Sequence, residues 1–103
     1  MSQQSPLSKD HLVIIRAILS QHLPKGTKAW IFGSRATGRA RQYSDLDLLI
    51  ACNAHPLADE VLSTLRDEFD ECDLPYKVDL LDWHNLEEPF RSLVEKERIP
   101  LPF

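Results

Sequence analysis

Three acids and a glycine-serine pair are the residues of this chain whose types and spacing could do chemistry. Asp45 and Asp47 stand one residue apart in 44-SDLDLLI-50, and Asp79 lies within 76-YKVDLLD-82. Side chains alternate along a strand, so Asp45, Asp47 and Leu49 share one face while Leu46, Leu48 and Ile50 share the other. Two carboxylates on one face, ~7 Å apart along the backbone, can lean together to hold a divalent cation. Without a cation, their repulsion among apolar neighbours raises one pKa. The competing reading makes Asp45 the end of a turn and Asp47 an edge-strand charge that suppresses aggregation. Acids are poor strand formers, and two in alternation before Leu-Leu-Ile favour the metal reading.

Asp79 sits between Val78 and Leu80, where an uncompensated carboxylate is costly. It is the candidate third carboxylate, and a salt bridge, for instance to an arginine, is its rival explanation. Asp82 ends the same run beside Trp83 and His84 and reads as a turn or helix-cap acid. Three acids converging from two neighbouring strands suit two-metal chemistry. One Mg²⁺ would ride with a triphosphate, and a second would lower the pKa of an attacking hydroxyl. The donors are oxygens, as magnesium requires, and no His/Cys cluster competes for a softer metal.

Upstream of the acids, the loop from Gly33 to Arg41 holds two of the three glycines and three arginines. Gly33 follows an apolar run directly, where a missing side chain lets a phosphate approach backbone amides. Ser34 adds a hydroxyl donor, and a helix starting there would aim its first amides at the same anion. Gly38 keeps the loop supple, and Arg35, Arg39 and Arg41 could grip phosphate oxygens. Solvated arginines in a surface turn are the alternative for each. The pattern is neither the Walker loop nor the dinucleotide fingerprint. Its pairing with the aspartates gives it meaning: phosphate donors on one side and metal-binding acids on the other are the two halves of a nucleoside triphosphate site.

The elements that must hold these groups follow from periodicity. Ser8 caps a helix over 9–23 whose stripe is Leu12, Ile14, Ile15, Ile18 and Leu19, ended by Pro24 and Gly26. Residues 28–32, KAWIF, form a buried strand. Residues 34–40 form a short helix or turn, and 45–52 a second strand. Asn53-Ala-His-Pro56 is punctuation, with Pro56 suited to a helix's first turn. Ala58, Val61, Leu62, Leu65, Phe69 and Cys72 recur at helical spacing, with acids and Arg66 opposite. Residues 76–82 make a third strand. Asn85-Leu-Glu-Glu88 resembles a capping box, which predicts a last helix with Leu86, Phe90, Leu93 and Val94 inward. The tail 99-IPLPF-103 cannot be helical, because Pro100 and Pro102 lack N–H groups. The order α-β-(α)-β-α-β-α predicts an α/β (α+β) domain, helices packed on a small mixed sheet.

At 103 residues the chain is expected to be one domain, 1–103. A net charge of −4 disfavours a non-specific grip on nucleic acid or an anionic membrane. No apolar run approaches spanning length, and the N-terminus has no apolar signal core, so a cytoplasmic protein is expected. Cys52 and Cys72 match no metal or redox spacing and read as reduced core thiols. His11, His22, His55 and His84 have no spaced partners and read as solvated or capping.

Gly33-Ser34, ten intervening residues and Asp45-x-Asp47 resemble the signature of the DNA polymerase β-type nucleotidyltransferase superfamily. GSRATG, SDLDLLI and VDLLD are similar to its smallest branch, the minimal nucleotidyltransferases, many of which are antitoxins encoded beside HEPN-domain ribonuclease toxins. The similarity covers nearly the whole chain. It implies the nucleotidyltransferase fold, with Gly33 and Ser34 on the β- and γ-phosphates of ATP. Asp45 and Asp47 would bind Mg²⁺, and Asp79 would help hold the ion that activates the acceptor hydroxyl. The resemblance further implies a HEPN-family toxin as partner and AMP transfer to one of its tyrosines. Arg35 directly follows the motif pair, while Arg39 and Arg41 could serve ATP or the partner. A shallow site open to water would be completed by that second macromolecule. Exposed parts of the last helix and the tail are its candidate contacts, although packing of the tail on its own core is the favoured reading of that segment. Two other functions stay open: a non-catalytic nucleotide-binding module that neutralises its partner by contact, and a nucleotidyltransferase acting on a small molecule.

Overall fold

In the computed structural model, which describes residues 7–39, 41, 44–52, 55–101 and 103, the Ser8 hydroxyl accepts from the His11 amide at 3.2 Å and opens helix α1, Lys9–His22. The polar N-terminus, Ala40, Gln42 and Tyr43 of the arginine loop, Asn53 and Ala54 of the expected turn, and Pro102 lie outside the described residues. Helix α1 buries Ile15, Ile18 and Leu19, and it ends where the Leu23 amide reaches the Leu19 carbonyl just before Pro24. Strand β1, Lys28–Phe32, pairs antiparallel with β2, Leu46–Ala51, so that Phe32 faces Asp47. Strand β3, Val78–Asp82, lies parallel to β2, and Asp47 faces Asp79. A short β4, Ile99–Pro100, pairs with the other edge of β1 and gives the order β3-β2-β1-β4.

The alternation written into these strands separates the two faces of the sheet. Ala29, Ile31, Leu46, Leu48, Ile50, Val78 and Leu80 form one core with α1 and with helix α3, Asp59–Glu71, which contributes Leu65 and Phe69. The opposite face has a smaller cluster of Phe32, Leu49 and Val94, the last from helix α4, Phe90–Glu97. Asp47 and Asp79 belong to this second face, one step along their strands from Leu49 and Leu81. The mixed α/β architecture matches expectation. Apart from Asp82 at the end of β3, the first face of the strands carries packing residues, while the other has room for chemistry.

Several local expectations are corrected. Strand β2 starts at Leu46, so Asp45 precedes it. Helix α3 starts at Asp59 with an exposed Ala58 at its cap, leaving Pro56 outside. The chain there stays extended because the Leu57 amide is held by Asp82 Oδ2 at 2.7 Å. The capping box does not form. Asn85 closes a 3-10 turn, Trp83–Asn85, and α4 begins only after Pro89, which lacks an N–H and disfavours helical backbone at Glu88. Glu88 instead accepts from the Ser92 amide at 3.0 Å. With that later start, Phe90 and Leu93 are 41% and 51% exposed rather than inward. Arg91 and Arg98 take inward places by stacking on Trp83 at 4.6 Å and Trp30 at 4.2 Å.

The tail packs on its own core. Pro100 sits on an edge strand, where its missing donor is tolerated, and buried Leu101 donates its amide to Ala29. Three histidines are engaged rather than solvated: His11 Nδ1 lies 3.0 Å from the Tyr76 hydroxyl, His22 contacts Glu68 across α1 and α3, and His84 Nε2 lies 2.8 Å from the Cys52 carbonyl. Cys52 and Cys72 are free thiols. Among the described residues no helix is long and apolar enough to cross a membrane.

Candidate active site

Gly33 joins β1 to helix α2, Ser34–Thr37, with φ +76° and ψ −152°. A Cβ built there would collide with Asp47 Oδ2. The Gly33 backbone therefore lies directly against the Asp47 carboxylate, which would have to move to admit any side chain there. The Thr37 hydroxyl donates back to the Gly33 carbonyl at 3.2 Å, and Gly38 closes the helix in the left-handed region at φ +78°. Amides in the first turn of a helix have no intrahelical acceptor, so those at the start of α2 suit an anion.

Arg35 holds the next segment. Its Nε and Nη2 donate to the Ser44 carbonyl at 3.1 and 2.7 Å, and its guanidinium stacks 4.0 Å from the centre of the Tyr76 ring. Ser44 in turn accepts from the Arg41 amide at 2.8 Å. Arg35 thus ties α2 to the residue before Asp45 and to the segment before β3, fixing the two acid-bearing stretches relative to each other. Arg39 and Arg41 are exposed.

Asp47 and Asp79 are direct neighbours across the parallel β2–β3 ladder, and exposed Asp45 lies just before them. Burial pushes the Asp47 pKa above the ordinary 3.8, and the negative charges of Asp79 and Asp45 add to the rise. The three acids of the sequence reading therefore act on one another. They do not form a closed cage: among the described residues, no three His, Cys, Asp or Glu side chains are gathered as a ready metal cluster. The donor set is all oxygen, two carboxylates adjacent in register and a third beside them, which fits a hard divalent cation. Asp47 and Asp79 line an open cleft of about 590 Å³ together with Phe32, Arg66, Lys77 and Phe90.

Asp82 is kept out of this group. It is 4% exposed and accepts from the Leu57 amide at 2.7 Å and the His84 amide at 3.0 Å. An Asp82→Ala variant should lose about 1–3 kcal/mol of stability in urea denaturation, because buried amides lose their acceptor. Its activity per folded molecule should be unchanged, since Asp47 and Asp79 keep their register. The sequence reading missed Lys77, Tyr76 and Thr37. Only Lys77 left a signal: it is two residues before Asp79 and therefore on the same strand face.

A glycine-serine turn packed on one strand's carboxylate, with a second carboxylate in register on the next strand, is thus set on a small mixed sheet. Residues 14–101 match the family described as Polymerase beta, Nucleotidyltransferase, and the chain belongs to that family. Over 93 residues it is 43% identical to a Haemophilus influenzae protein named "Probable protein adenylyltransferase MntA", covering 90% of this chain and 80% of that one. Among solved structures, one described as "Structure of putative minimal nucleotidyltransferase" superposes with a TM-score of 0.67 at 28% identity, covering 90% of this chain and 91% of the other. A toxin-antitoxin structure with AMP-PNP gives 0.73 at 23% identity, covering 88% and 72%. The enzyme class is nucleotidyltransferase.

Proposed function

We propose that this chain, as one domain over residues 1–103, is a cytoplasmic antitoxin that transfers AMP from ATP to a tyrosine hydroxyl of a HEPN-family RNase toxin and so silences it. The observation that carries the reading is the register of Asp47 beside Asp79, with the Gly33 peptide against the Asp47 carboxylate. The choice of acceptor rests on likeness. The MntA relative is named for protein adenylyl transfer, and a fold neighbour was solved as a toxin-antitoxin with AMP-PNP.

In this reading the Gly33 and Ser34 amides and the Ser34 hydroxyl receive the β- and γ-phosphates. Arg39 and Arg41 add positive charge from the loop, and the Arg35 guanidinium, held on the Ser44 carbonyl and the Tyr76 ring, adds its charge beside them. Asp45, Asp47 and Asp79 would hold two Mg²⁺ ions, which neutralise the triphosphate and lower the pKa of the acceptor hydroxyl. The hydroxyl oxygen bonds to the α-phosphorus as the bond from that phosphorus to the β-phosphate oxygen breaks. Pyrophosphate leaves, and the hydroxyl proton passes to a neighbouring carboxylate.

Incubation with ATP labelled at the α-phosphate, Mg²⁺ and the protein encoded beside this one should label that protein on tyrosine. The Asp45→Asn/Asp47→Asn double variant should leave it unlabelled. Undiminished label with the double variant sinks the assigned mechanism. Neutralisation by that variant without label makes contact alone the function.

A further inference from the structure

Asp47, Asp79 and Lys77 lie together on the open face of the sheet, with Asp45 just before β2. Asp47 faces Asp79 in the ladder, and the Leu46 amide donates to the Lys77 carbonyl at 2.8 Å. Lys77 thus stands just before β3, as Asp45 stands just before β2. Alternation puts Lys77 on the same face as Asp79, and its Nζ stands 3.7 Å from Asp79 Oδ1. The pair is too exposed to matter much to folding, with side chains 67% and 43% accessible. A lysine ammonium is also an odd companion for acids that must attract cations, unless it serves them when no metal is bound.

We propose that Lys77 is the resident counter-ion of the metal-free site: it holds Asp79 until a divalent cation displaces it, and so sets the metal affinity. The inference rests on reading Asp45, Asp47 and Asp79 as metal ligands. A divalent ion attracts a carboxylate twice as strongly as an ammonium at equal distance. The lysine stem is flexible and its head strongly hydrated, so it withdraws into water easily. An arginine there would grip the carboxylate with two parallel bonds and yield less readily.

The test is Mn²⁺ binding to the whole chain by calorimetry, without nucleotide, in wild type, Lys77→Met and Lys77→Arg. Lys77→Met should bind roughly twofold to fivefold tighter, the loss of one exposed ion pair. Lys77→Arg, with the charge unchanged, should bind more weakly than wild type. The gain from Lys77→Met should disappear in an Asp79→Asn background. Equal affinity in all three proteins, or a gain that survives Asp79→Asn, overturns the counter-ion role and leaves the metal site standing. A wild type that takes up no Mn²⁺ removes the metal-ligand reading and this inference with it.

Discussion

An Asp47→Asn variant should melt at a higher temperature than the parent when metal is absent, and should lose at least ~100-fold of its transfer rate. The second effect follows from scale: losing a group that merely orients a metal ligand costs ~10–100-fold, and a ligand itself costs more. The first follows from the environment of the carboxyl. Burial, then Asp79, then Asp45 raise its pKa in the folded protein above 3.8, so the folded state binds this proton more tightly than the unfolded chain. Stability is therefore lost as pH rises from about 3.8 through the folded pKa, and the penalty persists at neutral pH. Asparagine carries no such charge. Asp47 is half-buried and screened by solvent, so the gain amounts to a modest shift in Tm. Melting curves in chelator should converge in acid and separate towards neutral pH. Saturating Mg²⁺ should reverse the order, because only the parent gains binding energy. A variant that melts below the parent in neutral metal-free buffer would contradict the electrostatic account.

The same acids show what can be read from a sequence and what cannot. The alternation in SDLDLLI assigns Asp47 to one face and Leu46, Leu48 and Ile50 to the other, because a strand's period is a local property. That Asp47 meets Asp79 depends on strand pairing, which is long-range. Asp79 was still identifiable, since a carboxylate inside an apolar run needs a reason; an exposed lysine two residues earlier needs none. The last helix misled for a different cause. Arg91 within it and Arg98 just after its end stack on tryptophans, so charge stands where an apolar stripe is expected. The two tail prolines likewise concealed an edge strand. Arg35 is identical in sequence terms to a phosphate clamp, and only its bonds to the Ser44 carbonyl reveal the loop it holds.

Gly33→Ala should abolish transfer to within the ~100-fold or greater loss expected for a displaced ligand, whereas Gly38→Ala should not. Both glycines have positive φ, at +76° and +78°. Gly33, with ψ −152°, occupies a region essentially reserved for glycine, where any other residue costs about 1–3 kcal/mol. Gly38, with ψ 13°, is left-handed helical, and an alanine there costs about 1–2 kcal/mol. Strain alone would make the two variants similar. What separates them is the added methyl: at Gly38 it meets nothing within 4 Å, and at Gly33 it strikes Asp47 Oδ2. The Asp47 carboxylate must rotate away, and the metal pair is broken from the phosphate side. If the damage runs through Asp47, then Gly33→Ala/Asp47→Asn should be no slower than Asp47→Asn alone, a non-additivity that independent sites do not show. Transfer by Gly33→Ala within about threefold of Gly38→Ala, well inside the spread expected of ordinary small effects, would mean that Gly33 acts only through backbone strain and that its contact with Asp47 is incidental.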